Sequence, residues 1–378
     1  MAGKIKILVN AIPLTHIGTG IGRYLNCLYT EMEKLYGDRL EIRYFDGVNI
    51  SSTMPSGPGN PARWSRCIDL FWKLPAYPAF LLRLGIHVKW ELIFYRLAKD
   101  FDIYHEAGFF PFAVPSHLKT VFTLHDLSVI RFPEHHPLDR ELYSRLFFRR
   151  RCKKVDHFLT VSGFTHNEMG RLLDIGSKKV SVTHLAHDSS LFYPKQPKEV
   201  KRFLADKGLP DRYFLFVGSG DPRKNMDIIP KALEIAGLNE PLVVSGWSGW
   251  SDRMSWRNVI ALGYISDEEL ACLYSGALGL IFPSSYEGFG LPLLEAMACG
   301  CPVVAAKEAS LPEVAKDAAL YIKAPRDIES LAGILEHLAS TPDARRNFIA
   351  KGLDRAKEFS WSHTAQETFK AFENVMEK

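Results

Sequence analysis

The sequence lacks the features that define several large classes of protein. Its six cysteines follow no regular spacing, and no second pair accompanies Cys299-Gly-Cys301. Neither a disulfide framework nor a zinc site is therefore indicated, and reduced thiols favour a cytoplasmic location. The opening residues, Met1-Ala-Gly-Lys-Ile-Lys, contain no long apolar core and no cleavage site. We expect them to lead into a first strand and not to form a signal peptide.

Long apolar runs and a strong net charge are missing as well. The most apolar stretch, Ile68–Tyr95, is interrupted by charged residues and prolines, so no uncharged window of about 20 residues remains to span a membrane. A net charge of +4 on 378 residues is too small to indicate a polybasic nucleic-acid binder. No nucleic acid is expected among the partners.

The composition that is present predicts a globular α/β protein. With 47% apolar and 24% charged residues, the chain can fill and cover its cores, and 378 residues suggest two domains. Short apolar strands alternate with amphipathic helices, which is typical of parallel α/β layers. We expect two doubly wound domains, with a ligand cleft at the carboxyl ends of their strands.

The predicted boundary falls at a hinge, Leu191–Val200, and Gly47–Arg66 is predicted to be a mobile loop. The domains are therefore 1–190 and 191–360, followed by a helix at 361–378. Strands are predicted at Ile5–Val9, Glu41–Phe45, Ile103–His105, Thr120–Leu124, His157–Val161, Lys179–Thr183, Tyr213–Val217, Leu242–Ser245, Val259–Leu262, Gly279–Phe282, Val303–Ala305 and Ala319–Ile322. Helices are predicted at Ile21–Leu35, Trp90–Lys99, Arg140–Lys153, Thr165–Leu173, Met226–Ala236, Asp267–Ser275, Leu291–Ala298, Ile328–Ala339, Pro342–Glu358 and Ser362–Met376.

The most informative stretch is Glu287-Gly-Phe-Gly-Leu-Pro-Leu-Leu-Glu295, which joins a buried strand to a helix. At the start of that helix the backbone amides of Phe289, Gly290 and Leu291 are suited to bind an anion such as a diphosphate. Carboxylates would repel that anion, so Glu287 and Glu295 are better suited to accept hydrogen bonds from sugar hydroxyls. The alternative is an ordinary helix terminus with solvated glutamates.

A second strand–loop–helix turn, Gly218-Ser219-Gly-Asp-Pro-Arg223-Lys224-Asn225, carries two adjacent cations. Cations are disfavoured at a helix N-terminus, so Arg223 and Lys224 indicate a bound anion more than a plain surface turn. Arg223 stands where the third glycine of a dinucleotide fingerprint belongs. The chain also has no G-x-x-x-x-G-K-[ST] motif, which argues against a P-loop enzyme.

Two features of the first domain add to this pattern. The turn around Gly18, Gly20 and Gly22 allows backbone to approach a phosphate or sugar closely, although a flexible loop explains it nearly as well. His125 follows the strand Thr120–Leu124 at its carboxyl end, where catalytic residues of α/β folds lie. The alternative is a histidine that only satisfies hydrogen bonds in the core.

No metal and no cofactor is predicted. The single D-x-D sequence, Asp100-Phe-Asp102, precedes a strand at its amino end, away from the expected cleft. We interpret it as a helix-to-strand turn.

In combination these motifs resemble the family 4 glycosyltransferases of the GT-B fold, which share the E-x7-E spacing of Glu287 and Glu295. The resemblance is greatest to their mannosyltransferase-B-like branch, and it extends almost from end to end of the chain. It is carried by the segments Thr19-Gly-Ile-Gly-Arg-Tyr24, Thr123-Leu-His-Asp-Leu-Ser128, Pro222-Arg-Lys-Asn225, Gly263-Tyr-Ile-Ser-Asp-Glu-Glu-Leu270, Tyr286 through Gly300, Ser310-Leu-Pro-Glu-Val314 and Phe359-Ser-Trp361.

The resemblance implies a GT-B architecture in which the first domain binds the acceptor and the second binds the nucleotide sugar. It implies that the C-terminal helix crosses back to the first domain. It also assigns roles to individual residues. Arg223 and Lys224 would hold the donor diphosphate together with the amides of residues 289–291. Glu295 would bind the ribose, Glu287 would bind the transferred hexose, and Tyr264 and Ile265 would lie near the base. Ser219 and Gly20 would line the donor site, and His125 would contact the sugar.

For function, the resemblance implies transfer of a hexose with retention of configuration, with mannose from GDP-mannose favoured as the donor. The acceptor would be a glycan or a lipid-linked glycan in bacterial surface polysaccharide synthesis. Front-face attack is expected, and a covalent intermediate on Glu287 is the alternative. A sugar-nucleotide epimerase and a nucleotide- or glycan-binding protein without catalysis are the competing classes.

Residues 68–99 alternate aromatic and basic side chains, among them Phe71, Trp72, Lys73, Lys89 and Trp90. This pattern predicts a peripheral contact with the inner face of the cell membrane. Helices packed on the first sheet, with their cations reaching the solvent, explain it about as well.

Overall fold

The computed structural model describes residues 3–15, 20–55, 57, 75–108, 110–246 and 258–377. The chain forms two compact units. The first unit consists of Met1–His184 and Trp361–Lys378, and the second of Leu185–Ser360. The boundary predicted after residue 190 lies a few residues beyond the one observed.

The first unit is built on a seven-stranded sheet. Its strands are β1 Ile5–Asn10, β2 Leu40–Phe45, β3 Ile50–Ser51, β4 Ile103–Glu106, β5 Lys119–Leu124, β6 His157–Thr160 and β7 Val180–Val182. Their order is β3-β2-β1-β4-β5-β6-β7, and all neighbours are parallel except β2 and β3. The order reverses between β1 and β4, which makes their carboxyl ends the topological switch point.

The helices of the first unit cover this sheet. They are Gly20–Tyr36, Ala76–Leu97, Ser128–Arg131, Leu138–Tyr143, Arg149–Cys152, Gly163–Leu173 and Trp361–Met376, with a π-helical turn at Ser144–Phe148 and 3-10 turns at Ile12–Thr15, Ala98–Asp100, Pro133–His135 and Ser177–Lys179. The last helix packs against Gly20–Tyr36, where the rings of Tyr36 and Phe369 stack with their centroids 3.9 Å apart. The Thr364 hydroxyl also donates to the His184 carbonyl at 2.6 Å.

The second unit contains a six-stranded sheet. Its strands are β8 Phe214–Val217, β9 Leu242–Ser245, β10 Val259–Gly263, β11 Gly279–Phe282, β12 Val303–Ala306 and β13 Ala319–Ile322. They pair in parallel in the order β10-β9-β8-β11-β12-β13. The interior strands β11 and β12 are buried along their whole length, as expected for a sheet covered on both faces. The switch point lies between β8 and β11.

The helices of the second unit alternate with its strands. They are Pro197–Asp206, Ile228–Ile235, Asp267–Gly276, Leu291–Ala298, Leu311–Ala315, Ile328–Ser340 and Pro342–Ala356, with 3-10 turns at Pro222–Lys224 and Lys316–Ala318. Among the described residues, no helix of either unit is both long and apolar enough to span a bilayer.

The predicted fold class, two parallel-sheet α/β domains, is confirmed, and every predicted strand agrees with the structure to within one residue at each end. The helix predicted at Trp90–Lys99 is wrong at its start, because it begins at Ala76. Apolar residues occur all round this helix, so its sequence has no helical period. Pro78 is tolerated in the first turn, where the backbone N–H has no partner within the helix.

Two further predictions need correction. The hinge predicted at Leu191–Val200 contains the beginning of the helix Pro197–Asp206, in which proline occupies the first helical position. The helix predicted at Arg140–Lys153 begins at Leu138 and is interrupted by the π-helical turn. Of the loop predicted at Gly47–Arg66, residues 50–51 form β3, and residues 56 and 58–66 lie outside the described part of the chain.

Candidate functional site

In the second unit, glycines end three neighbouring strands. Gly218 and Gly246 follow β8 and β9, and Gly263 is the last residue of β10. The Gly246 amide donates to the Gly263 carbonyl at 2.9 Å. A Cβ on Gly246, whose φ is +132°, would lie 2.1 Å from the Gly218 carbonyl oxygen, so only glycine fits there. The carboxyl ends of β8, β9 and β10 therefore present backbone without side chains, and a ligand can approach that backbone closely.

The predicted basic turn follows β8. Asp221 caps the turn Pro222–Lys224 by accepting from the Arg223 amide at 3.0 Å, and its carboxylate pairs with the Arg223 guanidinium at 2.5 Å. Burial opposes the charge of Asp221, but the hydrogen bonds and charge of Arg223 outweigh it and hold the pKa of this carboxyl below its ordinary value. Arg223 is thus fixed and fully charged at the edge of the sheet.

Lys224 lies across the glycine that follows β8. A Cβ on Gly218 would be 2.9 Å from the Lys224 ammonium nitrogen. The same nitrogen is 3.5 Å from Glu287 Oε1, and both side chains are about one-fifth exposed, 18% and 20%. The structure therefore brings together a predicted phosphate ligand and a predicted sugar ligand from two different loops.

Asn225 joins these loops. Its side-chain amide donates to the Pro283 carbonyl at 2.9 Å and to Ser285 Oγ at 2.7 Å, and the Ser285 amide donates to the Arg223 carbonyl at 2.8 Å. Arg326 donates to Asn225 Oδ1 at 2.9 Å. Asn225 also has a φ of +48°, a conformation that asparagine tolerates better than most residues. Sequence reasoning found the adjacent cations but not this bridging role.

The segment after β11 presents the two predicted glutamates differently. Glu287 Oε1 is buried with no hydrogen-bond partner among the described residues, and the Glu287 carbonyl accepts from Ser310 Oγ at 2.8 Å. Glu295 is 2% exposed and accepts from the Tyr274 hydroxyl at 3.2 Å. Glu287 Oε1 thus faces the Lys224 ammonium at 3.5 Å but accepts no hydrogen bond from the described residues, while Glu295 is packed inside the helix layer.

The helix Leu291–Ala298 begins directly after Gly290, which has a φ of +97°. A Cβ there would lie 2.8 Å from the Leu311 side chain, so this sharp turn also requires glycine. The Leu293 amide donates to the Gly290 carbonyl at 3.0 Å, whereas the amides before it precede any acceptor that the helix itself can supply. The Phe289 ring is buried against Phe359, with centroids 5.7 Å apart, and this contact fixes the loop that contains Glu287 and Gly290.

The remaining predicted donor residues lie along the same edge. Tyr264 follows β10 and is 67% exposed, and Ile265 and Ser219 are half-buried. Ser266 then caps the helix Asp267–Gly276 with Glu269, each accepting from the other's backbone amide. An exposed aromatic ring beside a capped, rigid helix is suited to lie against a nucleotide base.

In the first unit, His125 follows β5. Its Nε2 donates to the Ala107 carbonyl at 3.2 Å, because a carbonyl oxygen can only accept, and its ring meets that of Tyr24 edge-on at 5.0 Å. Burial lowers the pKa of His125 to about 4, against the opposing influence of Asp126 and the Ala107 carbonyl. The ring is therefore neutral at pH 7, with Nδ1 as a hydrogen-bond acceptor.

Glu106, the last residue of β4, was missed by sequence reasoning. It is fully buried. It accepts from Asn10 Nδ2 at 2.8 Å, from the Gly108 amide at 2.5 Å and from the Tyr104 hydroxyl. Burial raises its pKa to about 7, although these three hydrogen bonds act in the opposite direction. The signal that could have revealed it is a carboxylate at the end of a short strand, directly after His105.

Two other predictions in the first unit have limited structural context. Gly20 begins the helix Gly20–Tyr36 and is exposed, and no atom of the described residues lies within 4 Å of a Cβ built on it. Residues 16–19 of the predicted glycine-rich turn lie outside the described part of the chain. Asp102 of the D-x-D sequence accepts from the Lys6 amide at 2.8 Å, which makes it part of the turn that leads into β4.

Two parallel α/β units, with paired cations and glutamates at the carboxyl edge of the second sheet, define a glycosyltransferase of the GT-B architecture. Residues 197–355 match the family model described as glycosyl transferases group 1, and residues 47–191 match the one described as glycosyltransferase family 4.

Relatives extend this match over the whole chain. It is 32% identical to the O-antigen chain mannosyltransferase B of Escherichia coli, over 97% of this chain and 99% of that protein. It is 26% identical to the O-antigen chain mannosyltransferase RfbU of Salmonella typhimurium, over 90% and 93% of the two chains. Sucrose-phosphate synthase from Thermosynechococcus elongatus has the same fold, with a TM-score of 0.72, 19% identity and coverage of 98% and 99%. The chain belongs to family 4 of the glycosyltransferases, in the branch of mannosyltransferase B.

Proposed function

We propose that this enzyme transfers mannose from GDP-mannose to a glycan or lipid-linked glycan in the synthesis of a bacterial surface polysaccharide, with retention of configuration. The observation that carries the proposal is the contact between the basic turn and the glutamate loop, where Lys224 lies 3.5 Å from Glu287. Two relatives, the O-antigen chain mannosyltransferases B and RfbU, transfer mannose, which supports the choice of sugar.

The second unit would hold the donor. Arg223 and Lys224, which contact the carboxylates of Asp221 and Glu287 in the structure, would hold the diphosphate. The amides of Phe289, Gly290 and Leu291 would supply hydrogen bonds at a helix N-terminus. As the glycosidic bond breaks, negative charge accumulates on the leaving diphosphate. Fixed cations stabilise that charge without having to reorganise.

The two glutamates would bind hydroxyls. Glu287 Oε1 faces the Lys224 ammonium at 3.5 Å and accepts no hydrogen bond from the described residues, and a hexose hydroxyl would donate one to it. Glu295 would take the ribose, with its orientation fixed by Tyr274. Tyr264 and Ile265 would contact the base, and Ser219 would lie beside the phosphates.

The first unit would supply Gly20 and His125 at the transferred sugar. Because the pKa of His125 is about 4, its imidazole is neutral at pH 7 and acts through hydrogen bonding and not through charge. In front-face attack the leaving phosphate would help to deprotonate the acceptor. Trapping a covalent sugar on Glu287 of the native enzyme would contradict this mechanism in favour of double displacement.

The decisive experiment incubates the enzyme with GDP-mannose and a lipid-linked glycan primer, and follows both sugar transfer and the fate of the donor. Transfer of mannose with an α-linkage, and none from UDP-glucose, is the expected result. Conversion of donor alone to an epimer would favour the epimerase class, and no reaction with any sugar nucleotide would favour a binding protein. A thermal-shift screen of GDP, UDP, dTDP and their sugars identifies the base independently of the acceptor.

We also propose a peripheral membrane contact through residues 75–99. The helix Ala76–Leu97 exposes large apolar side chains, among them Tyr77 at 71%, Leu81 at 64% and Leu92 at 56%. Lys89 and Arg96 are exposed beside them, whereas Arg83 pairs with Asp139 at 2.5 Å and is less available to lipid than the sequence suggests. Residues 68–74 of the predicted surface, with Phe71, Trp72 and Lys73, lie outside the described residues.

Co-sedimentation with vesicles tests this contact. Wild type is expected to bind vesicles with 30% phosphatidylglycerol, and Leu81→Glu with Leu92→Glu to abolish binding. The matched control is Ile235→Glu in the second unit, which also replaces an exposed apolar residue, 52% exposed. Equal binding by all three proteins, or no binding by wild type, would contradict the proposal.

A further inference from the structure

A cluster of polar side chains, buried at Asn10 and Glu106 and half-buried at His125, lies where strands β1, β4 and β5 end. Asn10 ends β1, Glu106 ends β4, and His125 follows β5. These strands are neighbours in the order β1-β4-β5, so their carboxyl ends meet at the switch point of the sheet. Asn10 and Glu106 are 6% and 0% exposed, and they are bonded to each other at 2.8 Å.

Burial of the Glu106 carboxyl group is unfavourable, so a purely structural role does not explain it well. Burying a carboxyl group costs several kcal/mol by the general cost of desolvation, and an apolar residue would fill the same volume without it. Three donors nevertheless converge on Glu106, from Asn10, Tyr104 and the Gly108 amide. Such an arrangement is retained where a polar group must hold something in place.

The group it holds is the turn that follows β4. Glu106 Oε1 binds the Gly108 amide at 2.5 Å, and a Cβ on Gly108 would come within 2.7 Å of the same oxygen. The intervening residue, Ala107, presents its carbonyl to His125 Nε2 at 3.2 Å. The peptide that joins Ala107 to Gly108 is thus held at its N–H by Glu106 and meets His125 at its carbonyl. The orientation of that carbonyl decides which imidazole nitrogen carries the proton.

We propose that Glu106, braced by Asn10, is a positioning residue that orients the Ala107 carbonyl and so fixes the tautomer and direction of His125. The inference rests on the proposed role of His125 at the transferred sugar. It gives Glu106 no contact with substrate, and it predicts that Glu106 affects turnover only through His125.

The test exchanges the two partners. In Glu106→Gln the new side-chain amide faces the Asn10 amide, so two donors oppose each other. The pair Asn10→Asp with Glu106→Gln restores one donor and one acceptor. We expect Glu106→Gln to lower kcat by about 10- to 100-fold, with donor KM within about 3-fold of wild type, and the double variant to recover most of the loss. Loss without rescue, or a KM effect as large as the kcat effect, would overturn the inference.

A milder change covers the case in which Glu106→Gln does not fold. Tyr104→Phe removes one donor to Glu106 and should lower kcat by a smaller factor. Its matched control is Tyr44→Phe, because Tyr44 is also buried and donates to a glutamate, Glu33, at 2.7 Å. That variant should keep wild-type kcat. Equal effects of the two changes would contradict the inference.

Two measurements separate this inference from the proposed function. If His125→Asn costs no turnover, the proposed role of His125 fails. If it does cost turnover, adding Glu106→Gln to His125→Asn should cause no further loss, and an undiminished further loss would refute the positioning role alone. Nitrogen NMR of labelled histidine should show His125 protonated at Nε2 in wild type and a mixture of tautomers in Glu106→Gln; an unchanged tautomer would overturn the inference.

Discussion

The two units share a doubly wound parallel sheet, but their strands end in different chemistry. In the second unit, β8, β9 and β10 end in glycines, and the charged groups Arg223, Lys224 and Glu287 stand partly exposed above them. In the first unit, β1 and β4 end in the buried side chains Asn10 and Glu106. The same architecture therefore provides one edge suited to bind a charged ligand and another suited to hold a neutral imidazole in a fixed orientation.

The largest effect should come from the charged edge. Replacing Lys224 by alanine removes one of two cations proposed to stabilise the leaving diphosphate, and kcat/KM should fall by about 10²- to 10³-fold. Steady-state kinetics with varied donor measures it. Lys231→Ala is the control, because Lys231 is an exposed lysine on the neighbouring helix Ile228–Ile235. A comparable loss in both variants would show that general charge, and not this position, is responsible.

The second largest effect should come from a substitution that disturbs the backbone at the same edge of the sheet. Gly246→Ala places a Cβ 2.1 Å from the Gly218 carbonyl oxygen at a φ of +132°, which should lower the free energy of unfolding by on the order of 3 kcal/mol. Gly333→Ala is the control in the helix Ile328–Ser340, where a Cβ meets no atom within 4 Å. It should stabilise the protein by about 1 kcal/mol. Urea denaturation distinguishes them, and a neutral Gly246→Ala would disprove the close packing.

The titratable groups at the carboxyl ends of β4 and β5 in the first unit should determine how its stability depends on pH. The pKa of His125 falls from 6.5 to about 4 on folding, so between these values only the unfolded chain binds this proton, and stability rises with pH. The pKa of His105 falls to about 3 and acts in the same direction. The pKa of Glu106 rises from 4.5 to about 7, so the folded protein holds a proton that the unfolded chain releases, and stability falls with pH across that window.

Between about pH 5 and 6.5 the falling contribution of Glu106 offsets only one of the two rising contributions of the histidines. Glu106→Gln removes the falling contribution, and the free energy of unfolding should then rise more steeply with pH, by on the order of 1 kcal/mol per pH unit. Urea unfolding at pH 5.0, 5.75 and 6.5 checks this, with His125→Asn as the partner variant expected to change the slope in the opposite sense. Parallel curves for wild type and Glu106→Gln would show that Glu106 has an ordinary pKa.

The comparison also explains what could be predicted from sequence. The charged edge depends on two local motifs, Gly218–Asn225 and Glu287–Glu295. Each combines a strand end, a glycine turn and a helix start in one continuous stretch of sequence. The Asn10–Glu106 bond joins residues 96 positions apart and depends on β1 lying beside β4, which a single sequence does not reveal. Asn225 was visible as part of a motif, but its bonds to Pro283 and Ser285 were not.

The fold was predictable for a similar reason. Buried parallel strands such as Gly279–Phe282 are continuous apolar runs, and the predicted bounds of this strand match the structure. The helix Ala76–Leu97 was placed too late because it is apolar on both its buried and its exposed faces. Hydrophobic periodicity does not reveal a helix whose exposed face is also apolar. That exposed apolar face is the surface proposed to contact lipid.

Calorimetric titration of GDP-mannose into three full-length proteins tests the division between the two edges most directly. We predict that Lys224→Ala loses at least about 10-fold in donor affinity, which corresponds to about 1.4 kcal/mol. His125→Asn should bind the donor within about 3-fold of wild type and yet lose turnover in the transfer assay. Wild-type affinity in Lys224→Ala, or a loss of affinity in His125→Asn as large as its loss of turnover, would contradict the account.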